Sequence, residues 1–229
     1  MRIEELHLID NSMPSLLELA NYLHQKKDAF ELLTKFMQQL EMSINKTSFT
    51  HSARVALLAE TLGTAVNLSA NELYLLKRSA YLHDIGKIFL PVKLFQKKEE
   101  LNAKEWKMIR LHPELGASLI RQIPHLKPLL AGILFHHERY NGSGYPFGLS
   151  EQQIPLISRI IGLVDCFEAL IAPRPYHTPL TLQQALSTME KQKNQGLWDP
   201  YLFEVFVEIT TDSDYFVDKR PVDINLVKN

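Results

Sequence analysis

Histidine and aspartate gather at a few points of this chain in a way that suggests metal chemistry. His83-Asp84-Ile85-Gly86-Lys87 puts an imidazole, a carboxylate and an ammonium within five residues. Imidazole with carboxylate suits iron, manganese or zinc better than calcium or magnesium, which prefer oxygen donors alone. On a helix, His83 and Lys87 would share a face one turn apart, while His83 and Asp84 would diverge by about 100°. One such pair carries little weight, because a helix that merely ends in polar residues gives the same text. Weight comes from further candidates at the polar ends or interruptions of apolar segments. They are His51, His112, the adjacent His136-His137, and Asp165 inside the run from Ile160 to Phe167. A charged aspartate in so apolar a run must be paired, protonated or bound to a cation, because burying it charged and alone is costly. Together these residues would furnish two metal ions, with positions left for water or substrate. Plainer readings compete. His51 or His112 taken singly is better explained as a satisfied structural histidine, and His136-His137 is evenly balanced. Asp165 has Arg159 and Arg174 as rival partners. His7, His24 and His125 sit in polar surroundings and read as surface residues.

The elements that must position these groups read as helices almost throughout. Leu16, Leu19, Ala20 and Leu23, then Phe30, Leu33, Phe36, Met37 and Leu40, keep helical spacing and predict one or two amphipathic helices over 15–43. His51 to Leu62 predicts another, with Val55, Leu58, Ala59 and Leu62 on one face. Ser69 with Glu72, Asn102 with Glu105, and Thr181 with Gln184 fit capping boxes. The second of these opens a helix expected to run through Trp106 and Ile109 to His112. Residues 127–140 read as a buried helix with a polar end. The next segment, 141–148, holds three of the nine glycines of the chain together with Pro146, which marks a loop. Helical patterns resume over 155–170, over 181–193, and after Asp199-Pro200, where Asp199 can cap and Pro200 can take the first helical position. No alternating strand pattern persuades. The expected fold is an all-α bundle, with a helical extension over 1–45, a main domain over 46–210 and a polar tail over 211–229.

Composition narrows the function. The 229 residues are 45% apolar, enough for a sizeable core, and carry a net charge of −1. That balance argues against gripping long nucleic acid by counterion release, but not against a small anionic ligand bound through metal ions. No apolar run approaches the ~20 residues that cross a bilayer, and the acidic start lacks the plan of a signal peptide. Cys166, the only cysteine, excludes an internal disulfide and a cysteine-rich zinc site. It reads as a small packed residue in a protein of the cytoplasm.

The ordered series His83-Asp84-Ile85-Gly86-Lys87, His112, His136-His137-Glu138, Gly142-Ser143-Gly144-Tyr145-Pro146 and Asp165 resembles the HD-GYP group of the HD phosphohydrolase superfamily. Pro155 to Ile160, Arg174-Pro175-Tyr176 and Asp199-Pro200 add to the match, which covers roughly residues 48–210. The resemblance implies an HD-domain helical bundle whose metal ligands are His51, His83, Asp84, His112, His136, His137 and Asp165. Asp165 is expected to bridge or anchor opposite His51, alongside Asp84. Iron or manganese would be the usual metals, with zinc, nickel or magnesium as alternatives. The implied reaction is hydrolysis of cyclic di-GMP to linear pGpG or GMP. A hydroxide formed between two metals about 3.5–4 Å apart would attack phosphorus, with Asp84 and Lys87 as catalytic groups. Lys87 would stabilise charge or protonate the leaving oxygen. Arg174 stands where the family places a ligand-contacting arginine, with a structural salt bridge as its equal rival. His177 takes the place of a second basic contact and would be partly charged near neutral pH. Tyr145 could stack on a base, or the Gly-Tyr-Pro loop could serve contacts with diguanylate cyclase (GGDEF) domains.

The sequence also departs from the family. Thr47 replaces a glutamate that gives some members a third metal, which favours two. Asn141 and Glu168 replace aspartates and are not expected among the ligands. Two rival readings are a general HD-domain nucleotide phosphohydrolase and a noncatalytic module that binds cyclic di-GMP or docks a partner. The helices of 1–45 could instead dimerise the chain, dock a partner or join the bundle.

Overall fold

The computed structural model describes residues 15–44, 51–97, 99–172 and 178–211. Arg174, His177, Thr47, residues 1–14 and most of the tail, 212–229, therefore lie outside the described residues. Within them the chain is helical, with no strand and one isolated antiparallel bridge between Asn141 and Ser150. The helices are α1 (Leu16–His24), α2 (Ala29–Ile44), α3 (His51–Ala65), α4 (Ala70–Leu82), α5 (Lys93–Gln96), α6 (Ala103–Ile109), α7 (His112–Arg121), α8 (Leu130–Leu134), α9 (Leu156–Ile171), α10 (Leu182–Asn194) and α11 (Pro200–Thr211).

Helix starts follow their caps. Ser69, Asn102 and Thr181 each close a capping box on the residue three positions later. Ser15 does the same with Glu18 for α1. Asp199 accepts from the Tyr201 and Leu202 amides at the head of α11, while Pro200 fills the first turn, where its missing N–H costs nothing. The core is built by α3 packed on α4 and α9, with α7 and α8 closing the other side. Leu62, Leu76, Leu82, Leu119, Ile133, Val164 and Phe167 are buried there. Helices α1 and α2 lie against α7 and α4 and bury Leu23, Leu33 and Met37.

Three segments depart from the expected helices, each for a local reason. Asn102 does not start a helix that reaches His112; α6 stops at Ile109, and α7 starts at His112. Pro113 has no N–H to give to the Ile109 carbonyl, and its ring clashes there, so one helix cannot run through both. Residues 127–140 form a 3-10 turn (Pro124–Leu129) holding Pro128, then the short α8, then a loop. The His83–Lys87 segment is not one helix either. Helix α4 ends at Leu82, and a 3-10 turn spans Ile85–Phe89. Lys87 therefore lines up with Asp84, three residues back, rather than with His83.

Candidate metal centre

Four helix ends supply the cluster. His83 follows α4, His112 follows α6, His136 follows α8, and in each case the imidazole turns back on its own chain. The His83 Nδ1–H donates to the Ala80 carbonyl (2.7 Å), His112 to Ile109 (2.7 Å) and His136 to Ile133 (2.8 Å). The last carbonyls of a helix lack intrahelical partners, so each ring caps its helix and is fixed in one tautomer. Nε2, the lone-pair atom, is then left facing the centre. His51 enters from the first turn of α3 and Asp165 from the middle of α9.

Close approach of the backbones depends on glycine. A Cβ on Gly86 would stand 2.6 Å from the Gly116 nitrogen and closer still to the His112 carbonyl, so only glycine lets the His83-Asp84 turn lie against α7. A Cβ on Gly144 would likewise strike the backbone of 137–139, so glycine brings the Gly-Tyr-Pro loop onto the histidine pair.

All seven candidate ligands converge, in two groups. The ligand atoms of Asp84, His112, His136 and His137 lie within 4.8 Å of one another, and so do those of His51, His83 and Asp165. Asp84 stands between them. Its Oδ1 is 3.1 Å from His112 Nε2 and 4.0 Å from His136 Nε2, while its Oδ2 is 3.3 Å from His83 Nε2 and 3.9 Å from His51 Nε2. Asp165 Oδ1 reaches His51 Nε2 at 3.1 Å and His83 Nε2 at 3.7 Å. By distance, Asp84 is therefore the carboxylate between the groups, and Asp165 belongs to the His51 side. Arg159, a rival partner for Asp165, instead pairs with Asp199.

The donor set fits divalent cations. His83 Nε2 and Asp84 Oδ1 are buried without a hydrogen-bond partner. His112 Nε2 and His136 Nε2 face each other at 3.2 Å although both rings have committed Nδ1–H to a carbonyl. Lone pairs crowded in this way repel unless a cation lies among them. Electrostatics divides the two groups. Burial, then the neighbouring imidazoles, hold His136 and His137 well below the ordinary histidine value. Burial acts the same way on His51 and His83, but there it is outweighed. Asp165 and Glu168 lift His51 to about 9, and Asp84 and Asp165 lift His83 to about 10. Protons drawn onto these rings occupy the place a cation would take. Burial alone would raise Asp84, yet Lys87, His83 and His112 hold it well below the carboxylate range, and the histidines do the same for Asp165.

The remaining candidates sit around the mouth. Lys87 is partly exposed, with its ammonium on Asp84 Oδ2 and 5.8 Å from the Phe95 ring. Tyr145 stacks on His137, centroids 4.7 Å apart, and the Arg110 guanidinium lies 5.1 Å from its ring centre. Cys166 is partly buried near Gln192, as a packed residue.

Two carboxylates were not foreseen. Glu168 is 1% exposed and gives one oxygen to His51 Nδ1 and the other to Arg54 Nε. Its signal lay in the sequence, three residues past Asp165 on an apolar helix, a spacing that puts both on one face. Glu138, also buried, accepts from the Phe147 (2.8 Å) and Leu149 (3.0 Å) amides and ties the Gly-Tyr-Pro loop to the histidine segment.

A family model described as HD domain matches residues 35–202. Among curated proteins, the cyclic di-GMP phosphodiesterase response regulator RpfG of Xanthomonas campestris pv. campestris is 36% identical over 74% of this chain and 45% of its own length. A cyclic di-GMP phosphodiesterase of Thermotoga maritima is 30% identical over 80% of this chain and 49% of its own. The 3'3'-cGAMP-specific phosphodiesterase 2 of Vibrio cholerae is 32% identical over 78% and 34%. The chain thus spans a third to a half of the length of these relatives. Among solved structures, the Bdellovibrio bacteriovorus HDG"Y"P protein Bd1817 superposes with a TM-score of 0.61 at 19% identity, covering 86% of this chain and 69% of that one. That likeness concerns the fold alone. With the family model reaching from within α2 to the first turn of α11 and the histidine–aspartate cluster inside it, the chain belongs to the HD-domain family.

Proposed function

We propose that this chain is a metal-dependent phosphodiesterase that hydrolyses cyclic di-GMP to linear pGpG or GMP, acting in the cytoplasm. The observation that carries the proposal is Asp84, with one carboxylate oxygen toward each histidine group. That placement suits a carboxylate shared by two ions. His112, His136 and His137 would hold one ion, and His51, His83 and Asp165 the other, with iron or manganese matching the nitrogen-rich donor set. Bound there, such ions would polarise a phosphodiester and supply a nucleophile from water at neutral pH.

The chain's own groups complete the reading. Lys87 meets the departing oxygen, and its pairing with Asp84 holds the ammonium beside the reacting phosphate. Tyr145 walls the His137 side and presents Arg110, whose planar donors suit phosphate. Arg174 and His177 are the proposed further contacts to the dinucleotide. Relatives named for cyclic di-GMP and for 3'3'-cGAMP support the cyclic dinucleotide class over mononucleotides. The deciding assay loads the chain anaerobically with iron or manganese and compares cyclic di-GMP, 3'3'-cGAMP and mononucleotides. Turnover confined to mononucleotides would transfer the chain to general HD-domain nucleotide hydrolysis. Binding of cyclic di-GMP without cleavage would make it a sensing module.

Phe147, 61% exposed at the tip of the Gly-Tyr-Pro loop, supports a second role for that loop in docking diguanylate cyclase (GGDEF) domains. Phe147→Ser should weaken such an association while leaving turnover intact, as a pull-down paired with an activity assay would register. Homodimerisation of the chain is a further proposal, open to light scattering.

A further inference from the structure

What holds the second nitrogen of a ligating imidazole sets how strongly the ring donates to its metal. His83, His112 and His136 give that nitrogen's proton to neutral backbone carbonyls. His51 gives it to Glu168, a carboxylate buried in α9. The other Glu168 oxygen is taken by Arg54, three residues along α3 from His51. His51, Glu168 and Arg54 thus link α3 to α9 behind the His51 side of the cluster. A carboxylate pulls on the N–H proton harder than a carbonyl does, so Nε2 of His51 is the more basic donor. Arg54 keeps that carboxylate charged and in place, since a buried anion without a partner would be expelled or protonated. Charge is divided in the same sense. Asp165 and Glu168 both contact His51, while Asp84 is the carboxylate within ligand distance of His112, His136 and His137.

We infer that the two metal positions are inequivalent, and that Glu168, backed by Arg54, is the positioning residue that strengthens the ion held by His51, His83 and Asp165. The inference rests on the two-ion reading proposed above. It is tested on the full chain, stripped of metal, by calorimetric titration with Mn²⁺ alone. The wild-type chain should show two binding phases. Glu168→Gln should weaken one of them by about 10- to 100-fold and leave the other within a few-fold. Arg54→Gln should weaken the same phase by less, and this covers the case in which Glu168→Gln does not fold. A merely structural role for the pair would lower both phases together, along with the melting temperature of the metal-free chain. That result, or two unchanged phases, would overturn the inference. No substrate enters the titration, so two intact phases without cleavage of cyclic di-GMP would refute the proposed activity and spare the inference. A wild-type chain that binds no Mn²⁺ would refute both.

Discussion

Lys87 and Asp84 form the pair on which the chemistry turns, because one faces outward and the other faces both histidine groups. The ammonium neutralises an anion that would otherwise be buried beside several lone pairs, and it sits at the mouth where the proposed phosphodiester would arrive. Replacing Lys87 with alanine should lower kcat about 10²- to 10³-fold, the range seen when one transition-state donor is removed. Metal content measured on the same preparation should stay unchanged, because Lys87 offers no electron pair to an ion while it is charged. The histidines give a pH dependence with a defined sign. His51 and His83, raised to about 9 and about 10, bind protons in the metal-free chain that a metal ion must displace. Apparent metal affinity should therefore rise with pH between roughly 6.5 and 9, by up to tenfold per unit for each proton displaced. His136 and His137, held well below the ordinary value, release no proton in that window. Proton protection of the metal-free fold runs the opposite way: it is full below about 6.5 and lost as pH rises through 9 to 10. Metal titrations at pH 7, 8 and 9 would read the slope, and a flat profile would contradict the account.

At the scale of elements, the centre is assembled from helix ends held close by glycine. Gly86→Val should drive the His83-Asp84 turn away from α7 and separate Asp84 from His112. The expected result is a folded but destabilised chain with less than one ion bound, measured by circular dichroism and metal analysis. Much of this assembly was legible in the sequence: the capping boxes at Ser69, Asn102 and Thr181 and the cap at Asp199 each start a helix where expected. Helix ends were harder to read. A periodic apolar pattern continues across Ile109 to His112, and only the conflict between Pro113 and the Ile109 carbonyl stops the helix there. The same applies to residues 127–140, where Pro128 substitutes a 3-10 turn for the first part of a helix. The helix ends at Ile109 and Leu134 matter, because the carbonyls beside them are the ones that orient His112 and His136. Glu168 stayed hidden for a different reason. It reads as a conservative departure until α3 is packed on α9 and the carboxylate meets His51. Nothing local encodes that meeting.

The whole molecule serves to exclude water from a set of groups that would not otherwise stay together. Helices α3, α4, α7 and α9 each bury an apolar face and point one or more polar side chains inward, and the segment after α8 adds His136. The metal-free chain therefore carries a concentrated cost, with His83 Nε2 and Asp84 Oδ1 buried without a hydrogen-bond partner. Binding of divalent ions should repay it. At an ion concentration of ~100 Kd, each independent site adds about 2.7 kcal/mol to stability, and a rise in melting temperature on adding Mn²⁺ to the stripped chain would register this. Helices α1 and α2 cover α7 and α4 and place their apolar faces in the same core, which ties the N-terminal segment to the body that holds the centre. No described helix is long and apolar enough to cross a membrane. The most direct test of the account combines metal quantification with product analysis on the anaerobically loaded chain given cyclic di-GMP. The account predicts two ions per chain and release of pGpG or GMP. Two bound ions with every cyclic dinucleotide left intact would contradict it.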